Sequence, residues 1–230
     1  PTADQYSVQN CVSEFLNKNY KSAYLGGYLS KNPWQHGIFL LSYIFALVFG
    51  EINVIALEMV NVIACVFIFK ALSEIIGLYK GSYSMQLLVL SCGVLFPVVL
   101  LYSYFIYGNI IGLAFGLLAI KYELIFLDNN KMHDGALSSI FIFMAILSKS
   151  NYQIYFIAMV ICLVFNIINY YDNKKISYLA LLILIFVLSY VLPTKFIESK
   201  TKVKMEDGIS FYSYVAMGLQ ESDQAPGWYN

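Results

Sequence analysis

Asp4 stands in a polar head, residues 1–37, that leads into an otherwise apolar chain. A carboxylate there can act as a general base, taking the proton of a hydroxyl as that oxygen attacks an electrophile. The same side chain can instead cap a helix over residues 5–17, where Val8, Val12, Phe15 and Leu16 fall at helical spacing. A cap and a base are not exclusive. The head closes on Asn32-Pro33-Trp34-Gln35-His36. Pro33 holds Asn32 extended, Trp34 is an amphipathic plate suited to headgroup depth, and Gln35 and His36 can bond a sugar or a phosphate. The plainer reading of that patch is an interfacial anchor.

Further along, Lys149 and Asn151 fall in a short polar turn between two apolar blocks. A cation there can neutralise a lipid-linked phosphate and stabilise it as a leaving group; the alternative is a lysine snorkelling at a helix end. Glu58 and Asn61 lie inside an apolar block at i and i+3, on one helical face. Ionisable groups within spans are costly, so they face a bundle interior or a wet cavity. Near the C-terminus, Met217-Gly218-Leu219 and Pro226-Gly227-Trp228-Tyr229-Asn230 offer glycines to fold over a ligand and aromatics to stack on it. The competing reading is an amphipathic stretch, residues 209–219, resting on a membrane.

The elements that must position these residues are membrane helices. Hydrophobic residues make up 60% of the chain and charged ones 12%, against about a quarter charged in soluble domains; mean hydropathy is +0.68. Apolar blocks cover about 37–50, 52–69, 86–106, 110–127, 135–148, 152–169 and 176–193. The first is too short to cross about 30 Å of hydrocarbon, so it is expected to rest at the interface. Six spans then remain in an all-α polytopic bundle, residues 52–193, between an outer loop at 1–51 and a second at 194–230. This arrangement puts six lysines on one face in the connections 70–85, 121–134 and 170–175, and one in the opposite turns 107–109 and 149–151. That is the bias of a cytoplasmic face. Both polar loops are accordingly expected outside, converging with the turns at Asn109 and Lys149.

Net charge is zero, so no nucleic-acid footprint is visible. All fourteen basic residues are lysine, so any phosphate grip relies on point charges, backbone amides or neutral donors. The four cysteines have no metal or redox spacing and read as small hydrophobes. Phosphate-loop, serine-hydrolase, zinc-protease and dinucleotide motifs are missing. The chain opens on Pro1 without an initiator methionine and stops on Asn230, so it is expected to be a fragment, preceded by a helix and followed by more protein.

These elements together resemble the N-terminal part of a GT-C membrane glycosyltransferase, the class that includes protein O-mannosyltransferases (glycosyltransferase family 39) and the lipid A aminoarabinose transferase. The resemblance rests on Ala3-Asp4-Gln5, the patch Asn32–Gly37, the short block ending Phe49-Gly50-Glu51, Ser148-Lys149-Ser150-Asn151, and the final outer loop. It implies inverting transfer of a sugar from a polyprenyl-phosphate carrier to a protein, lipid or cell-wall acceptor, on the outer face of a plasma membrane. Lysine- and asparagine-rich usage without arginine points to a bacterial, AT-rich genome. Under the resemblance Asp4 is the base and Lys149 lies near the carrier phosphate. Gln5, Asn32, Trp34, Gln35, His36, Glu58, Asn109, Asn151, Met217, Gly218, Trp228 and Tyr229 then contact substrate. Gln5 stands where many members have a second acid, and Tyr107-Gly108-Asn109 stands where many have an acidic turn; a divalent metal is therefore left open and no cofactor is assigned. The alternatives are a transporter or flippase of a lipid-linked sugar, a polysaccharide polymerase or ligase, and a non-catalytic scaffold. A transporter would show inverted repeats, and none is visible.

Overall fold

A computed structural model describes residues 3–50, 54–95, 101–205 and 208. The described residues are helical, with no strand among them. In chain order the helices are α1 (Ala3–Leu16), α2 (Tyr28–Lys31), α3 (His36–Phe49), α4 (Val54–Leu78), α5 (Tyr83–Leu95), α6 (Asn109–Asn129), α7 (Met132–Ser148), α8 (Gln153–Asn169) and α9 (Asn173–Thr201). Short 3-10 turns precede α3 and α8.

Among the described residues, four helical segments are long and apolar enough to cross a membrane: Val54–Leu78, Asn109–Asn129, Ser150–Asn169 and Asn173–Thr201. The segments Pro33–Phe49, Tyr83–Leu95 and Met132–Ser148 are shorter apolar helices. Surface chemistry fits a lipid solvent. On α8, Ile154, Ile157, Ile161, Phe165 and Ile168 repeat every three or four residues and are all exposed. The interior, by contrast, holds polar groups: Ser138 Oγ donates to Ala119 O at 2.8 Å, and Asn61 Nδ2 donates to Ser103 O at 2.7 Å. With no water in hydrocarbon, such groups must be satisfied from within the protein.

The centre of the bundle is the pair α6 and α7. Helix α4 packs on α6 and α5 packs on α4; α9 lies against α7 and α8, and α3 against α7 and α9. Close packing on α6 comes from Gly112 and Gly116, where any Cβ would run into the rings of Tyr152 and Tyr155. Small residues four apart are a common device for bringing membrane helices together.

The polar head is a packed unit. Val8, Cys11, Val12 and Phe15 face one side of α1 and are buried with Leu29, Phe39 and Ala46. The Phe15 and Phe39 rings meet edge to face at 4.7 Å. Ile197, in the last turns of α9, joins the same cluster. The head and the C-terminal end of α9 therefore share one end of the bundle.

Three expected boundaries move. Helix α4 runs to Leu78, so Lys70 is helical and not in a loop at 70–85. Lys121 likewise lies inside α6, because its ammonium pairs with Glu74 across the helix interface at 2.7 Å and need not leave the bundle. Helix α9 passes through Pro193 to Thr201, so the loop expected from 194 begins later. Hydroxyls bond back onto the backbone around that proline: Ser189 Oγ donates to Phe186 O at 2.7 Å, and Thr194 Oγ1 to Tyr190 O at 3.0 Å. Finally, Asp4 is in the first turn of α1, not at its cap, where an acid still complements the helix dipole.

Candidate functional site

The head, the start of α6 and the turn between α7 and α8 meet around a hollow of about 240 Å³. Asp4, Trp34, Gln35, Tyr107, Ser148, Lys149, Ser150 and Asn151 line it.

Local structure explains each placement. The apolar stripe of α1, seated on α3, turns Asp4 toward the bundle. A 3-10 turn opened by Pro33 brings Trp34 and Gln35 over the same spot just before α3 begins. Gly108, at φ 76°, turns the chain into α6 in the left-handed region, and a Cβ there would strike Ser148 O. This contact fixes Tyr107 beside the end of α7. Helix α7 stops at Ser148, and Lys149 is extended, φ −160° and ψ 125°, ahead of the next turn.

Tyr107 is the hub. Its hydroxyl donates to Asp4 Oδ2 at 3.2 Å, and Gln35 Nε2 donates to that hydroxyl. The ammonium of Lys149 sits 4.1 Å from the centre of the Tyr107 ring, a cation–π arrangement. Tyr28 supplies the second phenol, donating to Asp4 Oδ1 at 3.3 Å. Both carboxylate oxygens thus accept a hydrogen bond while the carboxylate itself stays exposed.

Electrostatics follow the geometry. Burial pushes the Tyr107 phenol up to about 12, with the Asp4 charge adding to the effect. Tyr28 is raised by burial first, then by the neighbouring Tyr107 phenol and the Asp4 charge. Both therefore remain donors to Asp4 across the physiological range. Burial lowers Lys149 below the ordinary lysine value, and the Asp4 charge partly restores it. The result is a carboxylate and a half-desolvated ammonium on one hollow, joined through a single tyrosine.

Of the residues singled out by sequence, Asp4, Trp34, Gln35, Lys149 and Asn151 come together here. Others have different employment. Gln5 is buried in the head and does not line the hollow. Asn32 Nδ2 donates to Tyr28 O at 2.8 Å, closing α2. His36 is buried, with Nε2 2.9 Å from Leu29 O and Nδ1 2.9 Å from Thr194 Oγ1, so it ties the head to α9. Asn109 donates to Tyr102 Oη at 2.9 Å and through its carbonyl accepts from Tyr152 Oη. Glu58 lines a separate, more open groove with Met59, Ser103 and Tyr104. Met217, Gly218, Trp228 and Tyr229 lie outside the described residues.

Sequence reasoning passed over Tyr28, Tyr107 and Ser148. Tyr107 was visible only as part of a Tyr-Gly-Asn turn, and with 20 tyrosines in the chain nothing in its spacing set it apart. Among the described residues no group of three or more His, Cys, Asp or Glu gathers as a metal site. Compared with family models, curated proteins and solved structures, the chain gives no match.

Proposed function

We propose that this chain is part of a GT-C-type membrane glycosyltransferase that moves a sugar from a polyprenyl-phosphate carrier to a hydroxyl acceptor. The observation that carries the reading is the hollow itself, where Asp4 and Lys149, far apart in sequence, line one space with Gln35, Trp34 and Asn151. In this mechanism Asp4 takes the acceptor proton while the acceptor oxygen attacks the anomeric carbon. The bond from that carbon to the phosphate oxygen breaks, and the phosphate leaves with the electron pair beside the Lys149 ammonium. Attack opposite the leaving group inverts the anomeric centre. A phosphate needs little protonation to depart, so the second carboxylate that glycoside hydrolysis requires has no task here.

The accompanying topology is six spans, with α3 at the interface and the head on the outer face of a bacterial plasma membrane. With Lys70 and Lys121 inside helices, Lys80, Lys131, Lys174 and Lys175 at the opposite helix ends still outnumber Lys149 in the short turns on the head's side. The burial of Ile197 in the head cluster supports placing the head and the end of α9 on one side.

The test is label transfer in membranes containing the full-length protein, supplied with radiolabelled polyprenyl-phosphate sugars. Asp4→Asn keeps the hydrogen-bond acceptor toward Tyr107 but loses the base; it is expected to abolish transfer while leaving folded protein in the membrane. Turnover at the wild-type rate in that variant would sink the assignment.

A further inference from the structure

Another concavity lies between α4 and α6, with Phe141 of α7 also in its lining. Its volume is about 390 Å³. Three buried alanines, Ala64, Ala71 and Ala114, form its floor, and the small side chains are what leave the space. The lining is apolar along its length and charged only at one end, where Lys70, Glu74 and Lys121 meet.

That end is remote from the Asp4 hollow. Lys121 lies 12 residues into α6, about 18 Å along the axis from Asn109. Lys70 lies 16 residues into α4, about 24 Å from Val54. The groove thus runs from the middle of the bundle toward the opposite leaflet, and from these depths the long lysine stems can reach that leaflet's headgroups. From Val60 to Glu74 it spans about 21 Å, more than the ~15 Å of one leaflet's hydrocarbon.

The charges do not cancel. Lys121 Nζ is 2.7 Å from Glu74 and accounts for that carboxylate. Lys70, with its side chain 61% exposed, is 4.0 Å from the same Glu74 and is a surplus cation at the groove's mouth. Lys121 is further held over the Tyr122 ring at 4.5 Å. An apolar trough one acyl chain long, ending on an unmatched ammonium at headgroup depth, is complementary to one kind of neighbour. We infer that this groove holds an anionic phospholipid of the leaflet remote from Asp4, its phosphate on Lys70 beside Lys121 and one acyl chain along the alanine floor. A zwitterionic lipid would bring a cation of its own beside Lys70 and leave the net charge there unbalanced, and an anion without a tail would leave the trough empty. The inference stands independently of the proposed glycosyl transfer.

Native mass spectrometry of the delipidated protein, titrated separately with phosphatidylglycerol and phosphatidylcholine of the same chains, tests it. One phosphatidylglycerol is expected to be retained about fivefold more strongly than phosphatidylcholine, the usual worth of one lysine near a membrane surface. Lys70→Gln, at an exposed position, should abolish that preference and leave phosphatidylcholine retention unchanged. Ile63→Trp, which narrows the trough from an exposed site, should reduce retention of both lipids. Asp4→Asn should leave the preference intact. Equal retention of the two lipids by the wild type, or a preference that survives Lys70→Gln, would overturn the inference. So would equal retention of dihexanoyl-phosphatidylglycerol, which would make this an anion site with no use for the groove.

Discussion

At the scale of single residues, the site depends on how Tyr107 divides its labour. Its hydroxyl orders Asp4 and its ring carries Lys149, so one side chain sets both the carboxylate and the cation. The burial that makes Lys149 useful also weakens its hold on its proton, because desolvation disfavours the charged form. Its folded pKa lies below the ordinary 10.5, so the ammonium is lost at lower pH than an exposed lysine would lose it. If that ammonium neutralises the departing phosphate, transfer falls as pH rises through this lowered value, while Tyr107, near 12, is still a donor. The alkaline limb of a pH profile measured in membranes should therefore lie below pH 10.5. In Lys149→Arg it should move upward, since a guanidinium stays charged throughout. An unchanged limb in that variant would remove Lys149 from the chemistry.

At the scale of elements, α6 does most to hold the site. The turn at Gly108 that opens it sets Tyr107 at the hollow's edge, and Gly112 and Gly116 seat it against Tyr152 and Tyr155. Gly116→Leu would force the Tyr155 ring aside, and overpacking of this kind costs about 1–3 kcal/mol. The expected result is an earlier thermal transition of the detergent-solubilised protein, with Gly116→Ala intermediate between wild type and Gly116→Leu. A melting curve for Gly116→Leu that overlays the wild type would show that α6 and α8 have room to separate. Element ends were the least legible part of the sequence. Lysines in the sequence mark expected helix ends, but Lys70 and Lys121 lie within helices because Glu74 sits between them. That pairing joins residues 47 apart, and no local pattern announces it.

For the whole molecule, the question is which groups share an end. His36 bonded to Thr194, Ile197 buried beside Phe39, and Tyr107 bonded to Asp4 place the head, the end of α9 and the start of α6 together. The proposed topology puts that end outside. Single cysteines in a background lacking Cys11, Cys65, Cys92 and Cys162 can check it with a membrane-impermeant maleimide on intact cells. Ser150→Cys, in the turn after α7, should be labelled directly. Asn173→Cys, at the first turn of α9, should be labelled only after permeabilisation. The reverse pattern would invert the molecule and put the hollow on the cytoplasmic side.

Composition and the lengths of the apolar blocks were enough to establish a helical membrane protein, because a bilayer accepts few other solutions for such a chain. Helical spacing also showed which face of α1 would be buried, and residue type alone nominated Asp4, Gln35 and Lys149. Only the tertiary structure decided that these three share a hollow, that His36 is a strut, and that Tyr107 is the hub. Those outcomes depend on contacts between residues as far apart as 158 positions, as His36 and Thr194 are. Such contacts arise from how helices pack, and periodicity along one helix carries no record of its neighbours.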